Sequence, residues 1–222
     1  MSKVPKAPAP SMRHTRRWPA SLAVIVVLGL QLAVPPQLMD LPRWLLPAFG
    51  AGLLVPLVWT NPLRLHVDEP WLRKVELILL AVLVGINAVY LLEMIVYLGD
   101  DSTDGLVLVK AALLIWVTNV VAFAVWYWEI DRGGPFARMP EHEHEEERAD
   151  LLFPQMTLDL PGWQGWLPGF TDYLFVAFTA ATAFSPTDTM PLTARAKTLM
   201  GFQSGVSLLT IAIVAARAVN VL

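Results

Sequence analysis

The sequence predicts an all-α integral membrane protein with about five transmembrane helices and one short re-entrant, pore-loop-like helix. Three observations carry this expectation. Hydrophobic residues make up 55% of the chain and charged residues only 16%, with a mean hydropathy of +0.53, the composition of a polypeptide whose solvent is lipid. Two apolar stretches, Val75 to Leu98 and Leu106 to Trp128, each match or exceed the roughly 20 residues a helix needs to cross hydrocarbon. Near the C-terminus, an apolar stretch too short to cross comfortably, Phe170 to Phe184, precedes a full final span, Pro191 to Leu222.

Taken in chain order, residues 1–17 are rich in Pro, Ala, Lys and Arg and read as a disordered basic tail. Trp18 to Val34 follows as a retained first span rather than a cleaved secretory signal, because Leu32-Ala33-Val34 runs into Pro35-Pro36 and offers no cleavage point. Trp44 to Trp59 is a second short span, with Pro47 and Pro56 as potential kinks. Trp18, Trp44 and Trp59 suit the interfacial aromatic belt. Residues 18–98 thus form the N-terminal set of transmembrane helices, and residues 106–222 a second module.

The third and fourth spans are joined by Asp100-Asp101-Ser102-Thr103-Asp104-Gly105, a tight polar turn that makes them an antiparallel hairpin. Counting outward from residue 102, Glu93 is level with Lys110, and Asn87 is level with Val117 and Thr118. An ionisable group in lipid is costly, so Glu93 and Lys110 are expected to pair, and Asn87 to bond near Thr118 or Asn119.

A polar, acidic loop occupies residues 129–170. It contains Glu141-His142-Glu143-His144-Glu145-Glu146-Glu147, where His142 and His144 are a weak candidate for holding a divalent cation. The spacing is unspecific, and such a run is more often a solvated acidic segment. A short helix is expected over 171–184, with Thr171 and Asp172 supplying its N-cap and Ser185-Pro186-Thr187-Asp188 ending it. Over residues 191–222 the final span carries Gln203, Ser207, Thr210 and Arg217 on one face, with Val214 filling the gap. Such a face either packs against a partner helix or lines an aqueous path. Gly201 and Gly205 add the option of close approach.

Several function classes are excluded or disfavoured by the same composition. With no cysteine, disulfides, thiolate metal sites and cysteine nucleophiles are ruled out. The short basic cluster Lys3, Lys6, Arg13, Arg16 and Arg17 abuts a hydrophobic run and is no nucleic-acid footprint. An enzyme is not expected, and no cofactor is implied: His14, His66, His142 and His144 lie outside the spans, and no Ser/His/Asp or paired-carboxylate arrangement shares one depth.

The order of long span, loop, short helix, extended Ser-Pro-Thr-Asp segment and polar-faced span is that of a pore-loop channel. Asp172-Tyr173-Leu174-Phe175-Val176-Ala177-Phe178-Thr179 resembles the pore helix of two-span bacterial potassium channels. Asp188-Thr189-Met190-Pro191-Leu192-Thr193 resembles their segment from filter aspartate into inner helix, and Ile213 to Val219 the end of that helix. The whole chain also resembles bacterial multi-pass membrane proteins of uncharacterised function sharing Trp-x-x-Asp-Arg-Gly-Gly-Pro, here Trp128 to Pro135, and Ala-Phe-Ser-Pro-Thr-Asp, here Ala183 to Asp188. The filter is degenerate. Thr182 to Asp188 lies where a potassium channel has Thr-Thr-Val-Gly-Tyr-Gly-Asp, so Ser185 and Thr187 replace the glycines that turn carbonyls toward the ion, and Pro186 fixes its own φ. Selectivity would then come from side chains of Thr182, Ser185, Thr187 and Asp188, with Asp188 favouring monovalent or divalent cations.

Basic residues favour one side of this plan. The N-terminal cluster, Arg64, Arg73, Lys74, Arg132, Arg138, Arg148, Arg195 and Lys197 fall together, against Arg43, Lys110 and Arg217, so the N-terminus and the 129–170 loop are expected in the cytoplasm of a bacterial inner-membrane protein. The short helix would then enter from the cytoplasm, as in ionotropic glutamate receptors. The resulting expectation is a homo-oligomer, a tetramer by resemblance, with a channel-like module that passes cations without potassium selectivity. The alternative is a non-conducting structural or regulatory protein on the same scaffold.

Overall fold

The computed structural model describes residues 18–36, 44, 48, 50–52, 70–98, 104–138, 148–160, 163–182 and 188–221. These form helices α1 (Trp18–Leu32), α2 (Pro70–Leu98), α3 (Gly105–Ile130), α4 (Phe170–Thr182) and α5 (Ala194–Val221), plus a two-residue ladder in which β1 (Leu151–Leu152) runs antiparallel to β2 (Met190–Pro191). Three helical segments, Arg73–Tyr97, Gly105–Gly133 and Ala194–Arg217, are long and apolar enough to cross a membrane. Helix α1, at 15 residues, is shorter than a bilayer requires. The basic tail, most of the expected Trp44 to Trp59 span, the 99–103 turn, the acidic run with His142 and His144, and residues 183–187 lie outside the described residues.

Helix α3 is central, touching each of the other four. It begins where Asp104 accepts a 3.0 Å bond from the Leu106 N–H, satisfying one of the donors that a helix start leaves unpaired. Ala111, Ala112, Ala122 and Ala124 on α3 are all buried, and their small size lets neighbouring helices approach closely. Two apolar clusters divide its length. One gathers Ala20 to Leu28 of α1, Leu79 to Val84 of α2, the 120–130 half of α3, and α4. The other gathers Ile86 to Met94, Leu108 to Ile115, Val206 and Ile213.

The α2–α3 hairpin has nearly the expected register. Asn87 donates to the Ile115 carbonyl at 3.2 Å, within one helical turn of Thr118, though to backbone rather than to a side chain. Gln31 of α1 donates to the Leu83 carbonyl at 3.0 Å one turn earlier. Level height does not fix azimuth: Lys110 shares the exposed face of α3 with Leu106, Val109 and Leu113, while Glu93 is half-buried on α2.

Helix α4 begins at the 130 end of α3, where Phe170 packs edge-on against Trp128. Asp172 sits at its third position and accepts from the Gly169 N–H at 2.7 Å, so it closes the first turn from inside rather than capping it as expected. Thirteen residues at 1.5 Å each carry α4 about 20 Å, to the level of Trp116, whose indole N–H lies 3.4 Å from the Ala181 carbonyl. By Met190 the chain has returned to the starting end, because β2 pairs there with β1 and Leu192 N–H donates to the Asp150 carbonyl at 2.8 Å.

Candidate functional site at the short helix

The base of α4 is fastened by a buried carboxylate. Asp131 terminates α3 and is fully buried. Its Oδ1 accepts from the N–H groups of Asp150 at 2.9 Å and Leu151 at 3.1 Å, and its Oδ2 accepts from the Tyr173 hydroxyl at 2.7 Å. Burial pushes the Tyr173 phenol well above its ordinary value, so it remains the donor. Arg138 donates to the Trp128 carbonyl at 2.8 Å and the Asp131 carbonyl at 2.7 Å, satisfying acceptors that the end of α3 leaves open. Its guanidinium also lies 5.2 Å from the Tyr173 ring centre and 5.7 Å from that of Trp128.

The chain turns sharply enough to build this pocket because Arg132, Gly133 and Gly134 have φ of 48°, 76° and 104°. A β-carbon on Gly134 would sit 3.1 Å from the Glu129 carbonyl oxygen, so this position needs glycine both for its backbone angle and for space.

A second buried carboxylate ties in α5. Asp150 is fully buried and accepts from both Nε and Nη2 of Arg195, the former at 2.5 Å, and from the Thr193 hydroxyl. Arg195 also donates to the Ile130 carbonyl at 3.1 Å. Thr193 in turn accepts from the Ala196 N–H at 3.3 Å and caps α5. The end of α3, the loop, the start of α4 and the start of α5 therefore share one hydrogen-bonded knot.

The tip of α4 is held by the polar face of α5. The final carbonyls of any helix lack intrahelical partners, a serious cost away from water. Ser204 donates to the Ala180 carbonyl at 3.1 Å, Ser207 to that of Ala181, and Gln203 to that of Ala177 at 2.7 Å. Gln203 is itself oriented by the Tyr127 hydroxyl, 2.5 Å from its Oε1, while Asn119 donates to its backbone carbonyl at 3.1 Å. Gln203, Ser207 and Thr210 are all buried within the single chain. Of the two expectations for this face, packing against a partner helix is the one found at Gln203 and Ser207, and the partner is α4.

The remaining expected residues are dispersed. Thr182 ends α4 and turns its hydroxyl onto the Thr179 carbonyl at 3.1 Å. Asp188 is exposed where the described chain resumes, and Ser185, Pro186 and Thr187 lie outside the described residues. Arg217 lies ten residues beyond Ser207, partly buried. Among the described residues no group of three His, Asp or Glu could hold a metal ion. Sequence reasoning did not single out Asp131, Asp150, Arg138, Thr193 or Arg195 as a unit. The run Asp131-Arg132-Gly133-Gly134 at the end of a long span was the available signal.

Compared with protein-family models, curated proteins and solved structures, the chain matches none.

Proposed function

We propose that residues 105–221 form the pore-loop module of a homo-oligomeric, cation-permeable membrane protein, in which α4 enters the membrane as a re-entrant helix and stops near mid-depth. The observation that carries this reading is the pairing of the two ends of α4: its base is knotted to Asp131, while its tip lies level with Trp116 and the chain is back at the base by Met190. A helix C-terminus bears partial negative charge, so a tip held there favours a cation at mid-membrane. Exposed Asp188 adds a carboxylate at the point of return. Because Gln203 and Ser207 are turned toward α4, the lining comes from the 182–188 segment, arranged around a symmetry axis by several subunits. The full plan has five spans, adding α1 and Trp44 to Trp59. Arg73, Lys74, Arg132, Arg138, Arg148, Arg195 and Lys197 lie toward one end against Lys110 and Arg217 toward the other, which supports a cytoplasmic base in a bacterial inner membrane.

Purified protein in liposomes tests this. Flux of sodium or potassium that falls about tenfold in Asp188→Asn supports the reading. A strictly monomeric protein that passes no sodium, potassium or calcium contradicts it.

The burial of Gln203, Ser207 and Thr210 inside one chain favours a second reading, a non-conducting structural or regulatory protein in which α4 is a fixed strut. There, deletion of 141–147 alters the host cell while Asp188→Asn does not.

A further inference from the structure

From the level of the α4 tip to residues 98 and 105, the second half of the fold lies beyond the reach of α4 and is built from α2, α3 and α5. There α2 turns polar side chains inward. Asn87 and Tyr90 lie one helical step apart on its buried face, each 2% exposed. Asn87 uses its amide N–H on the Ile115 carbonyl and leaves Oδ1 without a partner, and the Tyr90 hydroxyl also has none. Gln31, fully buried a turn earlier, donates to the Leu83 carbonyl and likewise leaves its Oε1 unpartnered.

Helix α5 contributes from across the same space. Val206 and Ile213 pack in one cluster with Tyr90, Leu91 and Met94. Thr210 stands between them on the same face, 1% exposed, with its hydroxyl donated back to the Val206 carbonyl at 2.8 Å. A buried polar atom left unpaired costs about 1–3 kcal/mol, and groups that find no protein partner are ordinarily satisfied by internal water. The unpaired oxygens of Gln31, Asn87 and Tyr90 call for such water, while Leu91, Met94 and Leu108 are buried in the same apolar cluster as Tyr90.

We infer that α2, α3 and α5 enclose a hydrated seam lined by Asn87, Tyr90 and Thr210, opening toward the Leu98 end of α2. It supplies water to the half of the membrane that α4 does not reach. Glu93, one step beyond Tyr90 and half-buried, adds a polar group toward its mouth, which favours water there. Its role as the far half of a conduction path rests on the proposed function; its hydration does not.

The absence of cysteine lets single cysteines be introduced without background. The test uses the full-length protein in membrane vesicles of known sidedness and a charged, membrane-impermeant methanethiosulfonate, which reacts only with a thiolate in water. Thr210→Cys is nearly isosteric, Asn87→Cys reads the α2 side, and Leu92→Cys, at 62% exposed on the outer face of α2, is the lipid-facing control. The seam predicts that Thr210→Cys and Asn87→Cys react about tenfold faster than Leu92→Cys from the side of residues 98–105, and about tenfold slower from the opposite side. If Asn87→Cys does not fold, Thr210→Cys alone decides: a rate no greater than that of Leu92→Cys overturns the seam. Labelling without ion flux keeps the seam and rejects the channel reading. Flux without labelling rejects the seam and leaves the channel reading to α4.

Discussion

The Tyr173 hydroxyl donates to Asp131 Oδ2 over 2.7 Å, so the first turn of the short helix is bonded to the residue that ends α3. The same carboxylate holds two backbone N–H groups of the returning loop. Removing the hydroxyl alone, in Tyr173→Phe, should cost about 1.5–3 kcal/mol, the range for a hydrogen bond to a charged group. Asp131→Ala leaves two buried N–H groups and the phenol unpaired together, and should cost about 3–5 kcal/mol. Thermal unfolding in detergent ranks the two. Because both substitutions break one bond, the double variant should be no less stable than Asp131→Ala by itself.

Gly134 is expected to refuse a side chain. Its φ of 104° and the Glu129 carbonyl 3.1 Å from any β-carbon give Gly134→Ala two penalties, together about 2 kcal/mol. Gly165→Ala, with φ of 71° but nothing within 4 Å, should lose about half as much. Comparison of their melting temperatures isolates the contribution of the close contact.

Arg195 and Asp150 form a two-pronged pair that lysine cannot reproduce. Arg195→Lys should therefore destabilise nearly as much as Arg195→Gln, about 2 kcal/mol, since either leaves a fully buried carboxylate short of donors. Retention of wild-type stability by Arg195→Lys would show that charge alone suffices.

Gln203→Leu removes one bond to the Ala177 carbonyl and the acceptor of the Tyr127 hydroxyl. Polar contacts between membrane helices contribute modestly, so a loss of about 1 kcal/mol is expected. The more sensitive readout is the tip of α4: a cysteine at Phe178, exposed in the structure, should become more reactive when Gln203 is lost.

Much of this architecture was legible because apolar length and polar punctuation are local properties. The hairpin around residue 102, the short helix and the start of the final span all fall within a few residues of their expected limits. The polar face at Gln203, Ser207 and Thr210 was legible as a face, but its partner was not. Periodicity gives azimuth on one helix and says nothing about which neighbour stands opposite. Depth counting has the complementary limit: it gives Glu93 and Lys110 a common height, but not a common azimuth. The 129–170 segment read as a polar loop because its structure is long-range: Asp131 meets Tyr173 across 42 residues and Asp150 meets Arg195 across 45. Only Asp131-Arg132-Gly133-Gly134, with its need for left-handed backbone, announced that knot in the sequence.

The central claim is that the chain enters and leaves on one side between Phe170 and Met190. Its most direct test places single cysteines at Leu160, Asp188 and Asp104, all exposed, and labels each with an impermeant reagent from one side of the membrane at a time. A re-entrant α4 predicts that Leu160→Cys and Asp188→Cys are modified from the same side and Asp104→Cys from the other. Modification of Asp188→Cys from the side of Asp104→Cys would mean that the segment crosses the membrane, and would contradict the account.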